Sequence, residues 1–127
     1  MENRRRRIPM VDKRINSKKK GKNGELEISH ILKERGFECR RTAQYNGKEQ
    51  GSLADVIGLD GIHIEVKRVE RLNIDTAMEQ AIRDCQDDIP TVWHRRNRKP
   101  WYVTMRLEDW IDMYERTRWS VRYAEKR

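Results

Sequence analysis

The stretch Ser52–Arg68, SLADVIGLDGIHIEVKR, decides the fold. Its second half alternates, with Ile62, Ile64 and Val66 at one parity and His63, Glu65 and Lys67 at the other. Successive side chains of a strand point to opposite faces, so the pattern predicts a strand with an aliphatic face that a helix covers. The other face carries an acid and a base about 7 Å apart. Upstream, ADVIGL reads as a second strand. The turn Gly58-Leu59-Asp60-Gly61 between them has the two glycines and the Asp of a tight hairpin. Such a hairpin brings Asp55 across from Glu65. Two carboxylates beside an ammonium on the floor of a sheet suit a divalent cation. Mg²⁺ takes oxygen ligands, binds through one or two carboxylates and keeps several waters, one of which can attack a phosphodiester. Lys67 can stabilise charge building on the phosphate or help deprotonate the water. A surface hairpin with solvated charges is the alternative.

Working outward, NGELEISHILKERGF predicts a helix with Asn23 as N-cap, Glu25 and Glu27 in its first turn, and Gly36 at its end. Leu26, Ile28, Ile31 and Leu32 form its apolar stripe. FECRR reads as a strand and TAQYNGKEQGS as a polar loop. IDTAMEQAIRDCQDD is a second helix, with Ile74, Ala77, Met78, Ala81, Ile82 and Cys85 spaced by three and four. IPTVWHRR and KPWYVTM are two more strands about NRK, and RLEDWIDMYERTRW is a closing helix with Leu107, Trp110, Ile111 and Tyr114 on its apolar side. The expected fold class is therefore α/β, in the order α-β-β-β-α-β-β-α, with a mixed central β-sheet flanked by helices.

Composition bounds the rest. The 127 residues, 35% hydrophobic and 39% charged, suit one small domain. No apolar run approaches the length of a membrane span, and the basic N-terminus lacks an apolar stretch behind it, so a cytoplasmic protein is expected. Cys39 and Cys85 have no metal-ligand spacing and read as reduced thiols. Residues 1–22 hold ten Lys and Arg against Glu2 and Asp12, so the whole net charge of +8 sits in that leading segment. Residues 1–22 are expected to be a flexible basic arm and 23–127 a single domain. A polyanion is the arm's natural partner, contacted through Arg14, Lys18, Lys19, Lys20 and Lys22, with a solubilising tail as the alternative.

Asp55 followed by Glu65-Val66-Lys67 resembles the D…(D/E)xK signature of the PD-(D/E)xK nuclease superfamily, with Ala54 where proline often stands. GELEISHILKERGFECRRTA is similar to the opening of archaeal-type Holliday junction resolvases: a basic-glycine lead-in, a helix-one glutamate, Gly-Phe, a strand, then arginine with a small hydroxyl residue. The likeness covers about residues 18–85. It implies a restriction-endonuclease-like core and Mg²⁺ as cofactor, with Mn²⁺ able to substitute. Asp55, Glu65 and the Val66 carbonyl would hold the metal, Glu25 would complete the site and Lys67 would assist the water. Ser52 corresponds to the family's serine near the metal-binding Asp, and Gln80 to a glutamine that positions water or phosphate. The implied activity is paired symmetric nicking of four-way junctions, which needs two active sites and hence a homodimer.

Arg40, Arg41, Lys48, Arg68 and Arg71 flank the motif and can grip phosphates. His63 reads as a satisfied neighbour of Glu65, while His30 and His94 show no evident partner. Trp93, Trp101 and Trp110 read as core or dimer-interface aromatics. Two other functions stay open: a general repair or restriction-like nuclease of the same chemistry, and a non-catalytic basic accessory protein that binds nucleic acid. The small, highly charged chain suits a phage or mobile element.

Overall fold

A computed structural model describes residues 13–42 and 52–117, with the side chains of 13–17 outside that description. Among the described residues eight elements follow in the expected order: α1 (Lys13–Glu34), β1 (Arg40–Arg41), β2 (Val56–Ile57), β3 (Ile62–Arg68), α2 (Ile74–Asp84), β4 (Ile89–Arg95), β5 (Tyr102–Met105) and α3 (Leu107–Glu115). The strands form one sheet in the order β1-β2-β3-β4-β5. Only β3 and β4 pair in parallel, and the other neighbours are antiparallel. A parallel pair needs a crossover, which α2 provides.

Strand β3 has helices on both sides. Ile64 and Val66 join Ile28 and Leu32 of α1, together with Cys39 and Val56, in the main core. On the opposite face Ala77 and Ala81 of α2 pack on Val92, flanked by Leu72, Ile74 and Met78. Val92 is the register partner of Glu65, and paired residues share a face. Helix α2 therefore covers the polar parity of β3, and His63 and Glu65 are buried beneath it. Asn73 caps α2, its side chain accepting from the Thr76 N–H at 3.0 Å. Gly58, at φ 129°, shows why the hairpin turn requires glycine: an added Cβ would lie 2.5 Å from the Glu38 carbonyl oxygen.

Several expectations are corrected. Helix α1 begins by Lys13, at least ten residues before Asn23, so Asn23 is an interior helical residue and not a cap. Lys and Arg, which favour helix, dominate its opening and carry it through Gly21 and Gly24 at about 1 kcal/mol each. Gly24 has a packing reason, because a Cβ there would stand 3.1 Å from Arg68 Cβ and 3.4 Å from Val66 Cγ1. Of the expected basic arm, residues 1–12 lie outside the described residues.

The buried stripe of α1 is also narrower than expected. It runs through Gly24, Glu25, Ile28, Ser29 and Leu32, whereas Leu26 and Ile31 are exposed. Ile82 of α2 is exposed as well. Helix α3 buries no residue, and Leu107, Trp110, Ile111 and Tyr114 all face outward. Trp110 stacks on Tyr114 with ring centroids 5.4 Å apart, so it is not a core residue. Trp93 and Trp101 do pack against the main core. Both histidines without expected partners have them: His30 Nε2 lies 3.4 Å from the Glu34 carboxylate, and His94 Nε2 lies 2.8 Å from Thr104 Oγ1.

Candidate active site

The arrangement begins where β2 meets β3. Val56 pairs with Ile64, and the same register continued by one residue sets Asp55 across from Glu65. The Asp55 N–H donates to the Ile64 carbonyl at 2.9 Å. Its carboxylate Oδ2 accepts from the Val66 N–H at 2.8 Å. Strand β2 is two residues long, and the Asp55 side chain continues its ladder where the backbone pairing stops. The N–H and C=O of one strand residue point to the same edge, so the Val66 carbonyl is directed to the Asp55 side as well.

Thr42 fixes this acid from behind. Its N–H donates to the Asp55 carbonyl at 3.1 Å, and its Oγ1 donates to the Ala54 carbonyl at 2.9 Å. Buried and placed just after β1, Thr42 holds the backbone from which the Asp55 carboxylate hangs. Sequence reasoning gave it no role. The available signal was a hydroxyl residue directly after the two strand arginines.

Glu65 is 0% exposed, with Oε1 2.9 Å from His63 Nε2. His63 is therefore the satisfied neighbour that the alternation suggested. Asp55 is buried too. Taking a carboxylate out of water costs several kcal/mol, an expense that a bound cation offsets. Lys67 emerges from the same face half-buried, and its Nζ donates to Gln80 Oε1 of α2 at 3.0 Å. The fold thus brings Asp55, Glu65, the Val66 carbonyl, Lys67 and Gln80 to one end of the β2–β3 pair. Carboxylate and carbonyl oxygens are the hard donors that Mg²⁺ prefers, so this donor set fits such an ion.

Other expected site residues have partners or exposures of their own. Glu25 is buried on α1, which covers the aliphatic face, and its Oε1 is held by Arg41 Nε at 2.6 Å. Among the described residues no group of three or more His, Cys, Asp or Glu could hold a metal ion. Ser52 closes a local turn, its Oγ accepting from the Ala54 N–H at 3.3 Å. Of the cations, Lys18, Lys19 and Lys22 are exposed along α1, and Lys20 lies 3.7 Å from the Glu70 carboxylate. Arg40 and Arg71 are exposed. The Arg68 guanidinium reaches Asn97 Oδ1 at 3.4 Å. The Arg14 side chain and Lys48 fall outside the described residues. No helix among the described residues is long and apolar enough to cross a membrane.

Comparison with known proteins agrees with the motif. Residues 16–126 match the model of a family described as phage putative PDDEXK endonuclease. The matched span runs on past residue 85, where the likeness to archaeal-type resolvases ends, as far as residue 126. No curated protein and no solved structure matches the chain. A match over so much of its length, joined to the Asp55 and Glu65-Val66-Lys67 arrangement on adjacent strands, shows that the chain belongs to the phage putative PDDEXK endonuclease family.

Proposed function

We propose that the protein is a Mg²⁺-dependent, structure-selective DNA endonuclease whose substrate is the four-way junction. The observation that carries this reading is the hydrogen bond from the Val66 N–H to the Asp55 carboxylate, which ties the first acid of the motif to the strand bearing the other two residues. Asp55, Glu65 and the Val66 carbonyl would hold the ion, which when bound supplies charge neutralisation at the phosphate and an activated water. Lys67, positioned by Gln80, faces the negative charge that builds on the phosphoryl oxygens. Arg41 is fixed by Glu25, and an arginine so held offers a planar fork for a backbone phosphate. The exposed lysines of α1 extend the cationic track, giving a backbone-reading surface with little means of reading bases.

Paired nicks need two copies of the site. The outward apolar side of α3, with Leu107, Trp110 and Ile111, is the surface on which a second copy would dock, so that the unit acting on a junction is a homodimer. The family description names an endonuclease without naming a junction, and this favours a second reading as a nuclease of broader range. The deciding experiment incubates the full chain with four-way junction, flap and matching duplex DNA, in Mg²⁺ or in EDTA. Symmetric paired nicks confined to junctions support the resolvase. Cutting of all three supports the broader nuclease, and binding without cutting supports a non-catalytic accessory protein.

A further inference from the structure

Beyond the acids and the lysine, the same face of the sheet carries a second feature. Lys67 of β3, His94 of β4 and Tyr102 of β5 are successive register partners. Paired residues share a face, so the three form one cross-strand row about 10 Å long. At the far end of this row lies a cavity of about 470 Å³, within the range of small-ligand sites. His94 and Tyr102 line it, Leu72 and Ile74 give it an apolar wall, and Arg71, Arg96 and Lys99 stand at its border. His94 is anchored through Thr104, and its ring centroid lies 6.0 Å from that of Tyr102. Tyr102 is 58% exposed, a large aromatic surface turned to solvent at the mouth of a basic hollow. Glu70 also lines the hollow, its carboxylate accepting from the Asn97 N–H at 2.8 Å and interacting with the Arg96 charge.

An aromatic plate, an apolar wall and a cationic rim match the parts of one nucleotide: a π-face, a sugar and a phosphate. Stacked duplex bases offer no such face, because both sides are covered. We infer that this pocket holds a single unstacked nucleotide of the substrate strand, with its base against Tyr102 and its phosphate among Arg71, Arg96 and Lys99. The inference rests on the nuclease reading and deepens it. The row joining the pocket to Lys67 makes the preferred substrate one with unpaired nucleotides close to the scissile phosphate. Duplex melted at a branch point has them, and unbroken duplex does not.

The test is fluorescence anisotropy in EDTA, at physiological salt, with a labelled single-stranded oligonucleotide and a blunt duplex of the same length. Wild type is compared with Tyr102→Ala and Tyr102→Trp, both changes at an exposed position that the fold tolerates. Loss of one stacked base weakens binding by about tenfold. Tyr102→Ala is expected to show that loss on the single strand and less than twofold on the duplex, while Tyr102→Trp keeps wild-type affinity. Equal losses on both DNAs, or no loss on the single strand, would overturn the pocket. Cleavage by wild type in Mg²⁺ is scored separately. A strand-selective loss without any cleavage supports the pocket and removes the nuclease reading; cleavage without a strand-selective loss does the reverse.

Discussion

The Asp55 carboxylate accepts a hydrogen bond from the backbone N–H of Val66, the residue between Glu65 and Lys67 in sequence, at 2.8 Å. A side chain here does what a third residue of β2 would do, and in doing so it is brought to the next strand's acid and base. The bond thereby fixes the orientation of the Asp55 carboxylate.

Structure and chemistry at Asp55 separate by substitution. Asp55→Ala leaves the buried Val66 N–H without its acceptor, a loss of about 1–3 kcal/mol. Asp55→Asn keeps an acceptor oxygen and removes the charge. Urea denaturation is expected to show a clear loss for Asp55→Ala and a small one for Asp55→Asn, with cleavage abolished in both. Equal stabilities would mean that the bond contributes nothing to the fold.

The two glycines of α1 behave oppositely when changed to alanine. Gly21 has nothing within 4 Å of an added Cβ, so Gly21→Ala gains helix propensity and stabilises by about 0.5–1 kcal/mol. At Gly24 the new methyl would meet Arg68 Cβ at 3.1 Å, a position fixed by strand β3. The lost helix–sheet contact outweighs the propensity gain there. Thermal melts are expected to rise by a few degrees for Gly21→Ala and to fall for Gly24→Ala.

Much of this was legible in the sequence because strong local rules agreed with the tertiary outcome. The alternation in IHIEVK is the period-two signal of a strand with one aliphatic face, and the glycines of GLDG mark the turn beside it. What was not legible came from contacts between distant residues. Asn23 reads as an N-cap, yet the helix runs on through it and Gly24, which lets α1 approach β3 closely. Leu26 and Ile31 look like core by composition, but the buried stripe runs through Glu25 and Ser29, whose polar atoms have partners that the sequence does not reveal. Thr42 has an ordinary composition and becomes important only once Asp55 lies beside it. The apolar side of α3 is real as a pattern, yet nothing in the pattern says whether it packs inward or outward.

Burial at His94 gives a pH dependence. Desolvation pushes its pKa below the ordinary 6.5, so the folded state favours the neutral ring. Below about 6.5 the unfolded chain binds more protons than the folded one, and stability falls as pH drops through and beneath that value. Denaturation midpoints at pH 7.5 and 5.5 are expected to show a smaller acid loss in His94→Gln than in wild type. An identical loss in the two proteins would place the pH sensitivity elsewhere.

The assembly prediction concerns α3. Leu107 is 72% exposed and neither it nor Trp110 is a core residue, so Leu107→Glu with Trp110→Glu is expected to keep the fold and to place charge in an apolar interface. Light scattering after size exclusion is expected to give a dimeric mass for wild type and a monomeric one for the double variant, with unchanged circular dichroism. A wild-type protein that stays monomeric at high concentration would rule out α3 as the dimer surface.

The central claim is that two strand acids, held by one backbone bond, form a cation-dependent reaction centre with Lys67. The most direct measurement is Mg²⁺-dependent cleavage of a four-way junction under single-turnover conditions by wild type, Asp55→Asn, Lys67→Ala and Gln80→Ala, each shown to be folded. Cleavage is expected in wild type with Mg²⁺ and not with EDTA, to vanish in Asp55→Asn and Lys67→Ala, and to fall about tenfold in Gln80→Ala, which removes only a positioning contact. Wild-type rates in Asp55→Asn and Lys67→Ala would contradict it.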